Sequence, residues 1–302
     1  MAVNEKAPPL FRGAATALIT PFRNGDVDFT ALGALIDAQI DAGIDALVVL
    51  GTTGEASTLT ERERSEVIRF AAVRVGGRIP LIAGTGTNDT VRTVRYTREA
   101  RAMGADAALV VTPYYNKGTR EGIVSHYREA AAVGIPVIVY NVPSRTGVRL
   151  TPDDYTALAE LDGIVGIKEA GGELSVAAMT ALRTRHKLAL YSGNDSETLP
   201  FLSLGGDGVI SVLSNLFPHE VHLMCRRFLE GDSDGARTLF YRYLPLVELL
   251  FAEPNPVCVK YAMSLHAGLS PELRLPLTEP TRHTQNLLCR ALADLADGCS
   301  GI

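Results

Sequence analysis

The stretch Ile164-Val165-Gly166-Ile167-Lys168-Glu169-Ala170-Gly171 begins as an apolar, β-branched run and reaches a lysine at its end. Short continuous apolar runs are typical of strands buried on both faces, as in parallel sheets. Seven further runs of this kind, spaced for strand–helix units, lie at 13–21, 46–50, 80–83, 107–111, 136–140, 188–191 and 208–212. The quoted stretch is therefore predicted to be the sixth of eight parallel strands.

The segments between these runs carry the start and stop signals of helices. Thr60-Glu61-Arg62-Glu63 has the spacing of a capping box, and Thr151-Pro152-Asp153-Asp154 places a proline at the favoured first helical position. Glycines stand where the periodic segments end, at Gly43, Gly76, Gly104 and Gly134. Each predicted strand is thus followed by a predicted helix.

Eight strand–helix units predict an α/β fold of the (β/α)₈ TIM-barrel type. An open doubly wound sheet is the alternative, but its nucleotide-binding form needs Gly-x-Gly-x-x-Gly after the first strand. Gly84-Thr85-Gly86-Thr87-Asn88-Asp89 lacks the third glycine and follows the third strand. We expect a catalytic barrel over residues 1–230 and a C-terminal helical subdomain over 231–302, with helical segments at 236–251, 257–266 and 280–295.

The bulk composition favours a small-molecule function. The net charge is −5 and the pI is near 5.7, which gives no reason to expect nucleic acid or an anionic membrane as a partner. Met1 to Arg12 contains no apolar targeting segment, and no run is long enough to span a membrane. Cys225, Cys258, Cys289 and Cys299 form no metal-binding pattern and are expected to be reduced. We expect a cytoplasmic protein without a metal or cofactor.

Lys168 is the candidate nucleophile. Burial favours the neutral amine, and from a reference pKa near ~10.4 a neutral form at pH 7 needs a drop of more than ~3 units, roughly 4–5 kcal/mol. A neutral amine attacks carbonyl carbon and forms a Schiff base. From this stretch alone, a lysine that pairs with Glu169 or reaches into solvent is an equally good interpretation.

Catalytic groups of a barrel of this type lie at the carboxyl ends of the strands. The polar segments that follow the predicted strands are Gly51-Thr52-Thr53-Gly54-Glu55, Thr112-Pro113-Tyr114-Tyr115-Asn116, Tyr140-Asn141-Val142-Pro143-Ser144-Arg145-Thr146-Gly147, Lys168 and Ser192-Gly193. A lysine, phenols, hydroxyls and a guanidinium suit carbon–carbon chemistry on 2-keto acids.

In this chemistry Tyr140 is the natural proton shuttle, with Thr52 and Tyr115 as a hydrogen-bonded relay. The turn at Thr52-Thr53 offers backbone N–H groups to one carboxylate, and Arg145 can bind a second one in bidentate fashion. Taken singly, Tyr140 also fits a core aromatic and Arg145 a solvated loop residue. Their coincidence at predicted strand ends favours a site.

The chain resembles the 4-hydroxy-tetrahydrodipicolinate synthase family, also called dihydrodipicolinate synthase, over about residues 13–280. The segments that carry the resemblance are Gly51-Thr52-Thr53-Gly54-Glu55, Tyr114-Tyr115, Tyr140-Asn141-Val142-Pro143-Ser144-Arg145-Thr146-Gly147, Gly166-Ile167-Lys168-Glu169-Ala170 and Glu253-Pro254-Asn255-Pro256. The resemblance implies that Lys168 forms a Schiff base with pyruvate and that Tyr140, linked to Thr52, is the general acid and base. It implies that Tyr115 acts from a neighbouring subunit of a homotetramer (a dimer of dimers), and that Arg145 binds the carboxylate of L-aspartate 4-semialdehyde. Thr53, Gly193 and Ile210 match the family positions around pyruvate, and no cofactor is implied.

The implied reaction gives 4-hydroxy-tetrahydrodipicolinate, in diaminopimelate and lysine biosynthesis. The nearest alternative is another pyruvate-dependent aldolase, such as N-acetylneuraminate lyase or a keto-deoxy sugar acid aldolase, but a sugar acid does not call for Arg145. A barrel that has lost catalysis and serves as a binding protein is the alternative of a different class. A phosphate-binding isomerase is disfavoured because Gly205-Gly206-Asp207-Gly208 precedes its strand.

One departure from the family concerns feedback inhibition by lysine. In the well-known bacterial form, histidines occupy the positions of Glu61 and Arg64, and a glutamate occupies that of Arg92. An arginine in place of a carboxylate repels the ammonium groups of lysine. Weak or absent lysine inhibition is therefore predicted.

Overall fold

The computed structural model describes residues 8–185 and 187–298. Eight parallel strands form the barrel: β1 (Gly13–Ala17), β4 (Ala46–Val49), β5 (Leu81–Gly84), β6 (Ala107–Val111), β7 (Val137–Asn141), β8 (Ile164–Glu169), β9 (Ala189–Ser192) and β10 (Gly208–Ser211). They close in the order β1-β10-β9-β8-β7-β6-β5-β4, and β1 pairs with β4 to complete the ring. The predicted (β/α)₈ barrel is confirmed.

Helices connect the strands and form the outer layer. They are α1 (Phe29–Asp41), α2 (Glu61–Val75), α3 (Thr90–Ala102), α4 (Arg120–Ala131), α5 (Pro143–Thr146), α6 (Pro152–Leu158), α7 (Leu174–Arg183), α8 (Thr198–Ser203) and α9 (Pro218–Leu229). Both predicted helix starts form capping boxes, at Thr60 with Glu63 and at Thr151 with Asp154. Gly76 ends α2 at φ +58°, in the left-handed region that glycine tolerates.

The strands alternate between two apolar layers because successive side chains point to opposite faces. On β7, Ile138 and Tyr140 belong to the cluster inside the barrel, whereas Val137 and Val139 pack outward against the helices. This alternation decides which polar residue at a strand end faces the barrel axis.

Three helices follow the barrel, as predicted: α10 (Ser233–Leu250), α11 (Val257–Ala267) and α12 (Arg282–Ala296). Helix α10 packs on α9, and α12 packs on both α10 and α11. A short hairpin, β2 (Phe22–Arg23) with β3 (Asp26–Val27), was not predicted.

Among the described residues, no helix combines the length and the apolar character that a membrane crossing requires. Cys225 and Cys258 are buried free thiols and Cys289 is an exposed one. Cys299 lies outside the described residues.

Candidate active site

Lys168 faces the inside of the barrel near the carboxyl end of β8. Its side chain is buried, and its Nζ lies 4.5 Å from the centroid of the Tyr140 ring. Tyr140 is the register partner of Lys168 on the adjacent strand β7. Within residues 8–185 and 187–298, the Nζ atom has no hydrogen bond or ion pair. The amine is therefore available to a ligand.

The neighbouring Glu169 points to the opposite face of β8 and does not pair with Lys168. Its carboxylate accepts hydrogen bonds from Asn141 Nδ2 at 2.9 Å, from the Gly171 N–H at 2.6 Å and from the Tyr155 hydroxyl. Burial raises the pKa of Glu169, and these donors partly oppose that rise. The interpretation in which Lys168 is neutralised by Glu169 is excluded.

A cavity of about 360 Å³ opens in front of Lys168. It is lined by Thr53, Tyr140, Arg145, Lys168, Gly193 and Asn255, among others. Gly193 is required there, because a Cβ at this position would lie 2.7 Å from Ala170 Cβ and 3.2 Å from Lys168 Cε. Ile210 is fully buried in the same inner cluster as Tyr140. The predicted residues Thr53, Tyr140, Arg145, Lys168 and Gly193 are thus brought together.

The threonine turn, Gly51–Glu55, follows β4. It is closed by hydrogen bonds from Gly54 N to Gly51 O and from Glu55 N to Thr52 O, both at 3.1 Å. Thr52 lines a second cavity of about 600 Å³, which Tyr140 and Arg145 also line. Thr53 is buried, and its Oγ1 accepts a hydrogen bond of 2.9 Å from Asn255 Nδ2.

Arg145 lies in the short helix α5, which begins with Pro143. Its Nη2 donates to the carbonyl oxygen of Asn255 at 2.8 Å, and its side chain lines both cavities. The guanidinium keeps further donors for a carboxylate. Arg145 is therefore oriented at the site although it is an exposed residue.

Tyr115 is not brought to Lys168 within this chain. Its side chain is 90% exposed, and its backbone has φ +68°, a strained value for a tyrosine. The adjacent Tyr114 lines the larger cavity. A tyrosine held in this way projects outward from the chain.

Two residues near the site were missed by the sequence analysis. Asn255 contacts both Thr53 and Arg145, although only its proline-rich motif had been noticed. Lys260 is fully buried on α11 and contacts Glu55, the last residue of the threonine turn. A lone lysine in the otherwise apolar segment Val257-Cys258-Val259-Lys260-Tyr261-Ala262-Met263 was the available signal.

A closed eight-stranded barrel with a buried lysine facing a cavity at the carboxyl ends of its strands defines the class of lysine-dependent aldolases and lyases. Within this class, the chain belongs to the dihydrodipicolinate synthetase family, whose family model matches residues 10–295.

Individual relatives agree with this assignment. The chain is 46% identical to the 4-hydroxy-tetrahydrodipicolinate synthase of Kosmotoga olearia over 94% of this chain and 98% of that protein. It is similar to the dihydrodipicolinate synthase of Acinetobacter baumannii solved with pyruvate (TM-score 0.92, 40% identity, 94% and 99% covered). It is also similar to a monomeric dihydrodipicolinate synthase variant (TM-score 0.93, 39% identity, 95% and 97% covered).

Proposed function

We propose that this chain condenses pyruvate with L-aspartate 4-semialdehyde to give 4-hydroxy-tetrahydrodipicolinate, a step of diaminopimelate and lysine biosynthesis. The observation that carries the proposal is the amine of Lys168, which lies inside the barrel beside Tyr140 and makes no hydrogen bond or ion pair in the described part of the chain. A buried amine that faces a cavity and makes no hydrogen bond is suited to covalent attack on a carbonyl group.

The reaction begins when the Lys168 amine attacks C2 of pyruvate. Loss of water gives the iminium, and loss of a C3 proton gives the enamine. The enamine carbon then attacks the aldehyde carbon of the second substrate. The amino group of that substrate finally attacks the imine carbon, closes the ring and releases Lys168.

Tyr140 is proposed to move the protons of these steps. The register of β7 and β8 supports this role, because it holds the phenol ring next to the amine. Thr52 borders the larger cavity together with Tyr140 and is proposed to continue the relay. Tyr115 is proposed to complete it from a neighbouring subunit of a homotetramer, a dimer of dimers, in keeping with its outward position.

The remaining roles concern substrate binding. The Thr53 hydroxyl and the backbone N–H groups of Thr52 and Thr53 are proposed to bind the pyruvate carboxylate, with Gly193 and Ile210 shaping the pocket. Arg145 is proposed to bind the carboxylate of the semialdehyde, and its remaining donors support this. We also propose residues 1–230 as the catalytic barrel and 231–302 as a helical subdomain, in a cytoplasmic enzyme.

Borohydride trapping tests the proposal. Reduction in the presence of pyruvate is expected to add the mass of a reduced pyruvate adduct to the peptide that contains Lys168. Condensation activity with aspartate semialdehyde is then measured with N-acetylneuraminate cleavage as the comparison. An unlabelled Lys168 would indicate a binding protein, and cleavage of the sugar acid without condensation would indicate the lyase.

A further inference from the structure

The buried side chain of Lys260 lies on α11, outside the barrel and behind the threonine turn. Its Nζ donates to Glu55 Oε1 at 2.6 Å and to the carbonyl oxygen of Glu272 at 2.7 Å, and it lies 4.0 Å from the centroid of the Phe22 ring. Burial lowers the pKa of Lys260, and the charge of Glu55 opposes that shift. The Lys260 ammonium is thus held between the Glu55 carboxylate, the Glu272 carbonyl oxygen and the Phe22 ring.

Glu55 is the residue through which this contact reaches the site. Its side chain is 1% exposed, and its second carboxylate oxygen accepts a hydrogen bond of 3.1 Å from the Arg274 N–H. Its own N–H closes the turn on the carbonyl oxygen of Thr52, and its backbone has φ +50°. A non-glycine residue keeps this conformation only where its surroundings impose it.

A buried ion pair is a poor way to gain stability, because an apolar pair of the same volume often stabilises a protein as well or better. In some proteins such a pair instead fixes a single geometry for the two groups. Here that geometry fixes the last residue of the turn that carries Thr52 and Thr53.

We propose that the Lys260–Glu55 pair is a positioning device that holds Thr52 and Thr53 in their reactive geometry, so that the C-terminal helices are part of the active-site machinery. The proposal rests on the proposed function, which gives these threonines their roles. A second contact from the same region supports it, since Asn255, next to the start of α11, donates to Thr53 Oγ1.

The test replaces both charges at once. Lys260→Met alone would leave the Glu55 carboxylate buried without its cation, and that variant is open to misfolding. The double variant E55Q/K260M removes both charges, keeps the side-chain volumes similar and keeps an acceptor for the Arg274 N–H. The Glu272 carbonyl oxygen loses its donor, so the variant is expected to fold with a moderately lower melting temperature, and its kinetics are measured well below that temperature.

In E55Q/K260M we expect kcat to fall about 10- to 100-fold, because small misplacements of catalytic groups have effects of this size. The KM for pyruvate is expected to rise, and the KM for the semialdehyde to stay within about twofold. Borohydride is still expected to label Lys168 at saturating pyruvate. This division between the two KM values is not produced by a general loss of stability.

Leu288→Ala is the matched control. Leu288 is fully buried on α12, which packs on α11, and it contributes nothing to the pair. This variant is expected to lose stability in the helical region with kcat and both KM values unchanged. The proposal is overturned if the double variant keeps the original kcat and pyruvate KM, or if Leu288→Ala shows the same kinetic losses. Failure of the unmodified protein to trap pyruvate would instead overturn the proposed function.

Discussion

Tyr140 and Lys168 are register partners on adjacent parallel strands, and the Lys168 amine lies 4.5 Å from the centre of the Tyr140 ring. Both residues are therefore held by the pairing of two barrel strands. Two groups held in this way need little rearrangement before they react together.

Lys168→Ala is expected to abolish both pyruvate trapping and condensation, with activity reduced at least about 1,000-fold, because Lys168 carries the only amine among the described residues that line the cavity in front of β8. The measurement combines mass spectrometry after borohydride reduction with initial rates. Lys187→Ala is the control, since Lys187 pairs with Glu160 at the surface. Trapping of pyruvate on a different lysine would contradict the prediction.

Tyr115→Phe is expected to lower kcat about 100-fold, since it removes one hydroxyl of a proton relay. If Tyr115 acts in the neighbouring subunit, mixing Tyr115→Phe chains with Lys168→Ala chains restores activity. Each mixed pair then has one site that contains both Lys168 and Tyr115. Initial rates of the re-equilibrated mixtures, measured across mixing ratios, test this restoration. Activity equal to the weighted average of the two variants would show that Tyr115 does not act in the neighbouring subunit.

Arg145→Lys is expected to raise the KM for aspartate semialdehyde about 10- to 100-fold and to leave the KM for pyruvate unchanged. A lysine keeps the positive charge but cannot form the bidentate hydrogen bonds that an arginine makes with a carboxylate. The control is Arg149→Lys, because Arg149 pairs with Glu173 at the surface. A rise in the KM for pyruvate alone would contradict the prediction, because it would show that Arg145 binds pyruvate and not the semialdehyde.

Free lysine is expected to inhibit weakly or not at all at submillimolar concentration. Glu61, Arg64 and Arg92 all line the larger cavity, and Glu61 is already bound by Arg95 and by the Tyr96 hydroxyl. The Arg64 guanidinium is buried and donates to the carbonyl oxygens of Ala56 and Gly84.

A lysine ammonium entering that cavity meets fixed positive charge. Initial rates across a lysine titration check the expectation, and E61H/R64H/R92E is the matched variant, in which sensitivity to lysine should increase. Strong inhibition of the unmodified protein would show that the cavity binds lysine in another way.

Acid is expected to weaken the protein through Glu63. Hydrogen bonds from Arg274 and, to a smaller extent, from Thr60 lower the pKa of Glu63 from 4.5 to about 2, although burial opposes the shift. The unfolded chain therefore binds this proton first as the pH falls below 4.5, so the stabilisation present at neutral pH declines toward pH 2. Between about pH 5 and pH 3 the free energy of unfolding should fall by about 1 kcal/mol more than in Arg274→Gln, which keeps the hydrogen bonds from Thr60. Urea unfolding at these pH values measures the free energy of unfolding. The same decrease with pH in the unmodified protein and in Arg274→Gln would contradict the prediction.

All eight barrel strands could be predicted from the sequence to within a few residues, because strands buried on both faces are continuous apolar runs. Strand β8 extends to Glu169, beyond the predicted end at 167, since polar residues can continue the ladder when the cavity and the outer layer accept them. The hairpin of β2 and β3 is too short to give a periodic signal.

The candidate site residues at the carboxyl ends of the strands could also be predicted from the sequence. In a barrel of this class all these strand ends meet at one face. The Lys260–Glu55 contact could not be found in this way, because its partners lie 205 positions apart and on elements of different kinds. Only packing of the C-terminal helices against the barrel brings them together.

Lys168 and Glu169 are consecutive residues that serve opposite sides of one sheet: an amine toward the axis, and a carboxylate toward the outer layer. A shift of β8 by a single position would exchange them and leave an acid where the nucleophile stood. The alternation of side chains along β8 thus decides whether an amine or a carboxylate faces the barrel axis. A one-residue insertion or deletion in this strand would abolish the reaction even if the barrel still closed.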